Sequence, residues 1–350
     1  MIKPQEELNN AKKTNSFFSS FCTLLSHTDK TYNEMLNISS SSTCWNQSHH
    51  EQEITSLKFS RDDKCLGIGS FNGKVFIRRC DTGRLMYIVE GLRQESPITS
   101  IKWHPNINNC IGISYANGFV SCCHVETNQN LWSFQEGNND INSIDFSPKG
   151  EHIASGGGDK IVRIYDIHSR KVSQELRSIP YIQDRVSGHS NRIYCVHFRD
   201  EFSLISSGWD NTSILWDLRS GQSERVFIGT HLNGEGLCFI KDSLVTGSCR
   251  HEDQIQFWDI GSCQLKSSVS LGSKLSPLLV YGICPTPDEK YIAACGSGTN
   301  RVSFIRTDNY EVAMSSESFE KPINAIHFNT TSFAIGLADS RVFLDKYQLT

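Results

Sequence analysis

At 350 residues the chain could hold two average domains or one large repetitive one. Its 25 glycines, 9 prolines and 10% aromatic content suit many short strands divided by turns. A formal net charge of −4 and a pI near 6.3 exclude the basic footprint that nucleic acid or an anionic membrane surface would require.

The thirteen cysteines include no CxxC pair, so a zinc or redox role is not expected. Cys65, Cys110, Cys195, Cys238 and Cys295 fall inside apolar strand patterns, where a free thiol behaves as a small hydrophobe. This usage points to a reducing compartment, the cytoplasm, with the nucleus as the alternative.

Residues 1–42 are rich in Asn, Ser and Thr and show no sustained period, so they are predicted to be a disordered tail. The apolar run Phe17–Leu25 is too short to span a bilayer and lacks a cleavage-site pattern, so neither a membrane span nor a signal peptide is expected. That run either docks on a partner or the body of the protein, or is an apolar accident.

From Ile54 a unit recurs. Its first strand ends in turn at Phe59, Trp103, Phe146, Phe198, Phe239, Pro285 and Phe328, at intervals of 44, 43, 52, 41, 46 and 43 residues. A polar turn follows most markers, as in Ser147-Pro148-Lys149-Gly150, and small residues then open the second strand, as in Ile153-Ala154-Ser155-Gly156. Seven such units predict seven four-stranded sheets over residues 43–350. The seventh stops after three strands. Its outer strand is expected from the segment around Thr43 to Gln47, pairing beside Val342–Tyr347, because a missing strand would leave an unclosed ring with a free edge.

The fourth unit is the fullest. It opens on Gly188-His189, alternates through Ile193, Cys195, Val196 and Phe198, turns at Trp209-Asp210-Asn211, and ends a third strand on Trp216-Asp217. A Gly-His start and a Trp-Asp finish at this spacing resemble one repeat of the WD-repeat (WD40) β-propeller family. The third unit ends on Tyr165-Asp166 and the fifth on Trp258-Asp259. The resemblance implies an all-β, seven-bladed propeller.

In that family His, Ser or Thr, Asp and Trp of one blade form a buried hydrogen-bonded chain. Here His189, Ser206, Asp210 and Trp216 match its full spacing. The third unit keeps Ser155, Asp159 and Tyr165 with Asn138 at the histidine position, and the fifth keeps His231, Thr246 and Trp258. A His-Ser-Asp trio also invites a hydrolase reading, but no GxSxG elbow is present and the serine falls within a strand. No pair of carboxylates, metal cluster or nucleophile–base spacing is seen, so neither an enzyme, a cofactor nor a small-molecule substrate is expected.

Partner contacts are expected on the face that carries the Asp210 turn. The candidates are Trp209, Phe71 at the matching place in the first unit, Tyr181 and Arg185 in the long link before the fourth unit, and Arg250 in an enlarged turn of the fifth. Trp209 either anchors a partner or packs against a neighbouring loop. On the opposite side, Trp216-Asp217-Leu218-Arg219 resembles the WDxR box by which some WD-repeat proteins dock on the adaptor of cullin-type ubiquitin ligases, with an exposed Arg219 making the contact. The resemblance thus implies a protein or peptide scaffold in a multiprotein complex. The alternatives are a ligase substrate receptor, or a structural subunit of a ciliary, ribosomal or trafficking assembly.

Overall fold

A computed structural model describes residues 43–46, 53–90, 96–178 and 187–346. All regular structure among them is β, arranged as seven antiparallel sheets. Blades 1 to 5 are four-stranded meanders over residues 54–90, 98–135, 141–176, 193–228 and 237–269. Consecutive strands pair in sequence order, as the spacing of the markers requires of a four-stranded unit.

Blade 6 departs from four strands. A two-residue strand, Gly272–Ser273, folds back on the ten-residue strand Ser276–Pro285 and makes a five-stranded sheet. The added hairpin leaves Leu275 99% exposed at its tip. Blade 7 supplies three strands, Ile323–Phe328, Ser332–Leu337 and Arg341–Lys346. Thr43–Asn46 adds the fourth, antiparallel to the last, with Thr43 opposite Leu344 and Asn46 opposite Arg341. The two ends of the described chain therefore share one blade.

Small residues in the second strands have a packing reason. A Cβ built on Gly336 of blade 7 would lie 2.7 Å from Ile54 Cγ2 of blade 1, so the glycine leaves the socket into which the neighbouring blade inserts. Each interface between blades is filled this way by the apolar residues of facing strands. The Ile193, Val196 and Phe198 side chains pack on Ala154 and Ile164 of the preceding blade.

Six of the seven innermost strands share one irregularity. Register shifts fall between Ile54 and Ser56, Ile98 and Ser100, Ile141 and Ser143, Ile193 and Cys195, Val280 and Gly282, and Ile323 and Ala325. A bulge re-aims a side chain. Here it brings the bulged residue and the residue just before each marker onto the channel at the centre of the ring.

Candidate functional site

The residues His189, Ser206, Asp210 and Trp216 come together in blade 4. The Trp216 indole N–H donates to Ser206 Oγ at 2.8 Å, and Ser206 Oγ lies 2.7 Å from His189 Nε2. An indole can only donate, so the serine hydrogen goes to Nε2 and the imidazole hydrogen sits on Nδ1. From there it reaches Asp210 Oδ2 at 2.7 Å. Asp210 also accepts from the backbone N–H of Ser190 and of Thr212, and from the Thr212 hydroxyl. Burial would raise the Asp210 carboxyl, but His189 and the Thr212 and Ser190 donors bring it down to about 2. His189 is buried beneath this turn, with no free face on which a hydrolytic base could work.

Blades 3 and 5 rearrange the pattern. In blade 3 the place expected for Asn138 is taken by Glu136, whose side chain is 1% exposed. Its Oε1 accepts from the Tyr165 hydroxyl at 2.6 Å and from the Ser155 hydroxyl, and its Oε2 takes Arg163 Nη1 at 2.8 Å. A tyrosine in place of tryptophan supplies an O–H donor, and a carboxylate is the acceptor that answers it. In blade 5, Trp258 donates to Thr246 Oγ1 at 3.2 Å, but His231 does not join them. His231 instead points back to blade 4, where its Nδ1 lies 2.9 Å from Asn211 Oδ1.

His231 turns away because Trp209 holds it. The two rings stack at 6.2 Å with 6° between their planes, and Tyr194 packs on the indole at 5.3 Å. Trp209 therefore packs against a neighbouring loop and still leaves 39% of its surface in solvent. Arg250 joins the same ridge through Nη2 to Asn211 Oδ1 at 3.2 Å. Phe71 is 52% exposed at the matching turn of blade 1 and lines the channel mouth. Tyr181 and Arg185 lie outside the described residues. Arg219 sits at the other end of blade 4 with its side chain 72% exposed, bonded to Asp217 Oδ1 at 3.1 Å and held 5.5 Å from the centroid of Phe202.

The channel carries two residue columns that the sequence reading did not pick out. The residue just before each marker forms a lower ring. It runs Lys58 and Lys102 in blades 1 and 2, Asp145 and His197 in blades 3 and 4, Cys238 and Cys284 in blades 5 and 6, and His327 in blade 7. The bulged residues Thr55, Thr99, Asn142, Tyr194, Tyr281 and Asn324 form an upper ring, joined in blade 5 by Glu235. Both columns could have been found by aligning the seven units on their markers and reading one and four places upstream.

Glu235 divides the channel. Its backbone pairs in parallel with Gly282, and Gly234 beside it runs so close to Tyr281 that a Cβ there would fall 2.3 Å from the Tyr281 carbonyl oxygen. The carboxylate descends to Lys58 at 2.6 Å and Lys102 at 3.6 Å, and accepts from the Ser100 hydroxyl at 3.0 Å. Lys102 also faces Asp145 at 3.9 Å, and Asp145 takes His197 Nδ1 at 2.8 Å. The structure thus brings together a carboxylate pair, Glu235 and Asp145, where the sequence suggested none, because the two are 90 residues apart and meet only across the ring.

Burial would raise the Glu235 carboxyl, yet Lys102 and Lys58 hold it well below the usual carboxylate range. Asp145 is held low against the same burial by His197 and Lys102. Burial, then Lys58 and Lys102, push the His327 imidazole well below its ordinary value. Above the Glu235 floor lies a chamber of about 460 Å³ open toward the Trp209 end, and below it one of about 550 Å³.

A sequence model described as "WD domain, G-beta repeat" matches residues 41–78, 128–166 and 181–217. The first two matches each begin on an outer strand, Thr43–Asn46 and Gln129–Gln135, and continue through the three inner strands of the following blade. The sequence repeat is therefore offset by one strand from the structural blade, so the outer strand of the first repeat belongs to blade 7. No helix among the described residues is long and apolar enough to cross a membrane. Propellers of this kind generally serve as protein-interaction scaffolds. With three matched repeats, seven radially arranged antiparallel sheets and a complete His–Ser–Asp–Trp chain in blade 4, the protein belongs to the WD-repeat β-propeller family.

Proposed function

We propose that this propeller is a non-catalytic scaffold or adaptor that holds a partner protein or peptide on the face bearing Trp209. The observation that carries this reading is the half-exposed Trp209. It is pinned by Tyr194 and His231 into one orientation and continues through Tyr194 into the chamber mouth. A rigid, partly buried indole beside a cavity is the form that interface anchors take, because little side-chain entropy is lost on binding. Phe71 and Arg250 extend the same face.

The non-catalytic part of the reading rests on the channel. The two carboxylates at its centre, Glu235 and Asp145, are held as anions beside Lys58 and Lys102, so neither offers the proton a general acid would need. A cytoplasmic setting fits the twelve described cysteines, all of which are unpaired thiols.

The test is affinity capture from the native cell with the wild type, Trp209→Ala and Phe71→Ala. Loss of the same partners from both variants, with thermal unfolding unchanged, supports the reading. Unchanged partners defeat it.

A second reading, a ubiquitin-ligase substrate receptor, is favoured by the exposed Arg219 guanidinium braced over Phe202. Cullin components captured by the wild type and lost with Arg219→Ala would select it. Capture of a ciliary, ribosomal or trafficking assembly instead would make the chain a structural subunit.

A further inference from the structure

The two chambers differ in chemistry. The lower one is lined by lysines, histidines and thiols as well as carboxylates. Among the described residues the only charged side chains lining the upper one are Glu53 and Glu235, and no Lys, Arg or His joins them. Its uncharged polar groups also lean toward accepting. Asn142 spends its amide N–H on the Ile193 carbonyl of the next blade at 2.7 Å. Asn324 likewise donates to the Ile54 carbonyl at 2.9 Å and to Glu53 Oε1 at 2.7 Å. Among the described residues neither amide oxygen takes a donor in return. The Thr55 hydroxyl is buried in the same wall and has no partner among the described residues. Phe71, Tyr194 and Tyr281 add aromatic surface around these acceptors.

We infer that the upper chamber receives one basic side chain, a lysine or arginine, from an extended segment of the partner. The inference rests on the top-face reading and specifies what enters the channel. A side chain rich in N–H groups meets the amide oxygens and Glu53, and its charge is answered by the carboxylates and favoured by the aromatic faces. An acidic side chain would meet carboxylates at rim and floor, with no cationic group among the described residues of the wall. An apolar one would strip water from the Asn142 and Asn324 oxygens and return no hydrogen bond. Lys58 and Lys102 hold Glu235 down from below, so the floor stays in place when the chamber fills.

The test selects short random-sequence peptides on immobilised full-length protein, with the wild type, Glu53→Gln and Trp209→Ala in parallel. Lys or Arg should be enriched at one peptide position. Glu53→Gln should weaken a selected peptide about tenfold, the scale of one hydrogen bond to a charged group, with no change in thermal unfolding. Enrichment of acidic or apolar residues, or no enrichment, overturns the inference. If Trp209→Ala abolishes binding while Glu53→Gln changes nothing, the chamber assignment falls and the top-face reading stands. If neither variant matters, both fall.

Discussion

The Glu136 carboxylate accepts the Tyr165 hydroxyl at 2.6 Å, doing in blade 3 what the Ser206–His189 pair does for Trp216 in blade 4. The carboxylate is affordable there only because Arg163 meets it at 2.8 Å. Burial, and after it the Glu136 charge, push the Tyr165 phenol well above its ordinary range, so it remains a donor at any working pH. Removing one member of a buried ion pair leaves the other charge uncompensated, at about 3–5 kcal/mol. Glu136→Ala should fall at the low end, about 3 kcal/mol, because Arg163 keeps Asp159 at 2.6 Å and Glu175 at 3.4 Å. Urea unfolding of the purified variant measures this, and a change within error would mean the network contributes nothing to blade 3.

His189→Ala should cost about 1–3 kcal/mol by the same measurement, since it leaves Asp210 and Ser206 each without one buried partner. Trp216→Phe removes the indole N–H and also shrinks a fully buried ring, so its loss adds a cavity cost to about 1 kcal/mol for the hydrogen bond. No loss from His189→Ala beside a clear loss from Trp216→Phe would show that packing, and not the hydrogen-bonded chain, governs blade 4.

The contrast between these blades shows how far the sequence could be read. Seven units were legible because a marker residue ends each innermost strand, and four strands of fixed length set its recurrence. The blade 4 chain was legible because all four side chains keep their spacing. Glu136 was not, since it lies two residues upstream of Asn138 and brings a different donor–acceptor pattern with Tyr165. His231 lies 15 residues before Thr246, where His189 lies 17 before Ser206, and it stacks on Trp209 instead of joining a blade 5 network. Glu235 sits between two glycines in what reads as a loop. Only closure of the ring brings Lys58, 177 residues away, against it.

Acid should weaken blade 4 through Asp210. Its carboxyl titrates near 2 in the fold against 3.8 as a free side chain, so its contribution is complete above about pH 4. That contribution drains away as pH falls through the folded value. The difference in melting temperature between wild type and Asp210→Asn should therefore be constant at neutral pH and shrink below pH 4. A difference that grows on acidification would contradict the assignment.

Glu235 ties blade 5 to blades 1 and 2 across the channel. Glu235→Leu leaves the Lys58 and Lys102 ammonium groups close together with only Asp145 to answer them, and should cost about 3 kcal/mol. Replacing the whole cluster with apolar residues is often neutral or better. The triple variant Lys58→Met, Glu235→Leu, Lys102→Leu should therefore recover most of the loss in urea unfolding. If the triple variant is worse than Glu235→Leu alone, the cluster stabilises the ring beyond balancing its own charges.

The ring closes on a strand of four residues, and that makes the start of the chain a sensitive point. Thr43–Asn46 covers the hydrogen-bonding edge of Arg341–Lys346, and Cys44 packs on the core of blade 7 beside Phe343. Deletion through Asn46 removes several ladder bonds, each worth about 1 kcal/mol net, and should lower stability by about 2–4 kcal/mol. It also exposes a strand edge whose side chains include Val342, Phe343 and Leu344, a template for pairing with a second copy. Deletion through residue 42 keeps the closing strand and should change neither property. Thermal unfolding and concentration-dependent size-exclusion chromatography of the two truncations separate these outcomes. The longer deletion should melt earlier and associate, whereas equal behaviour of both would mean that blade 7 holds together on three strands.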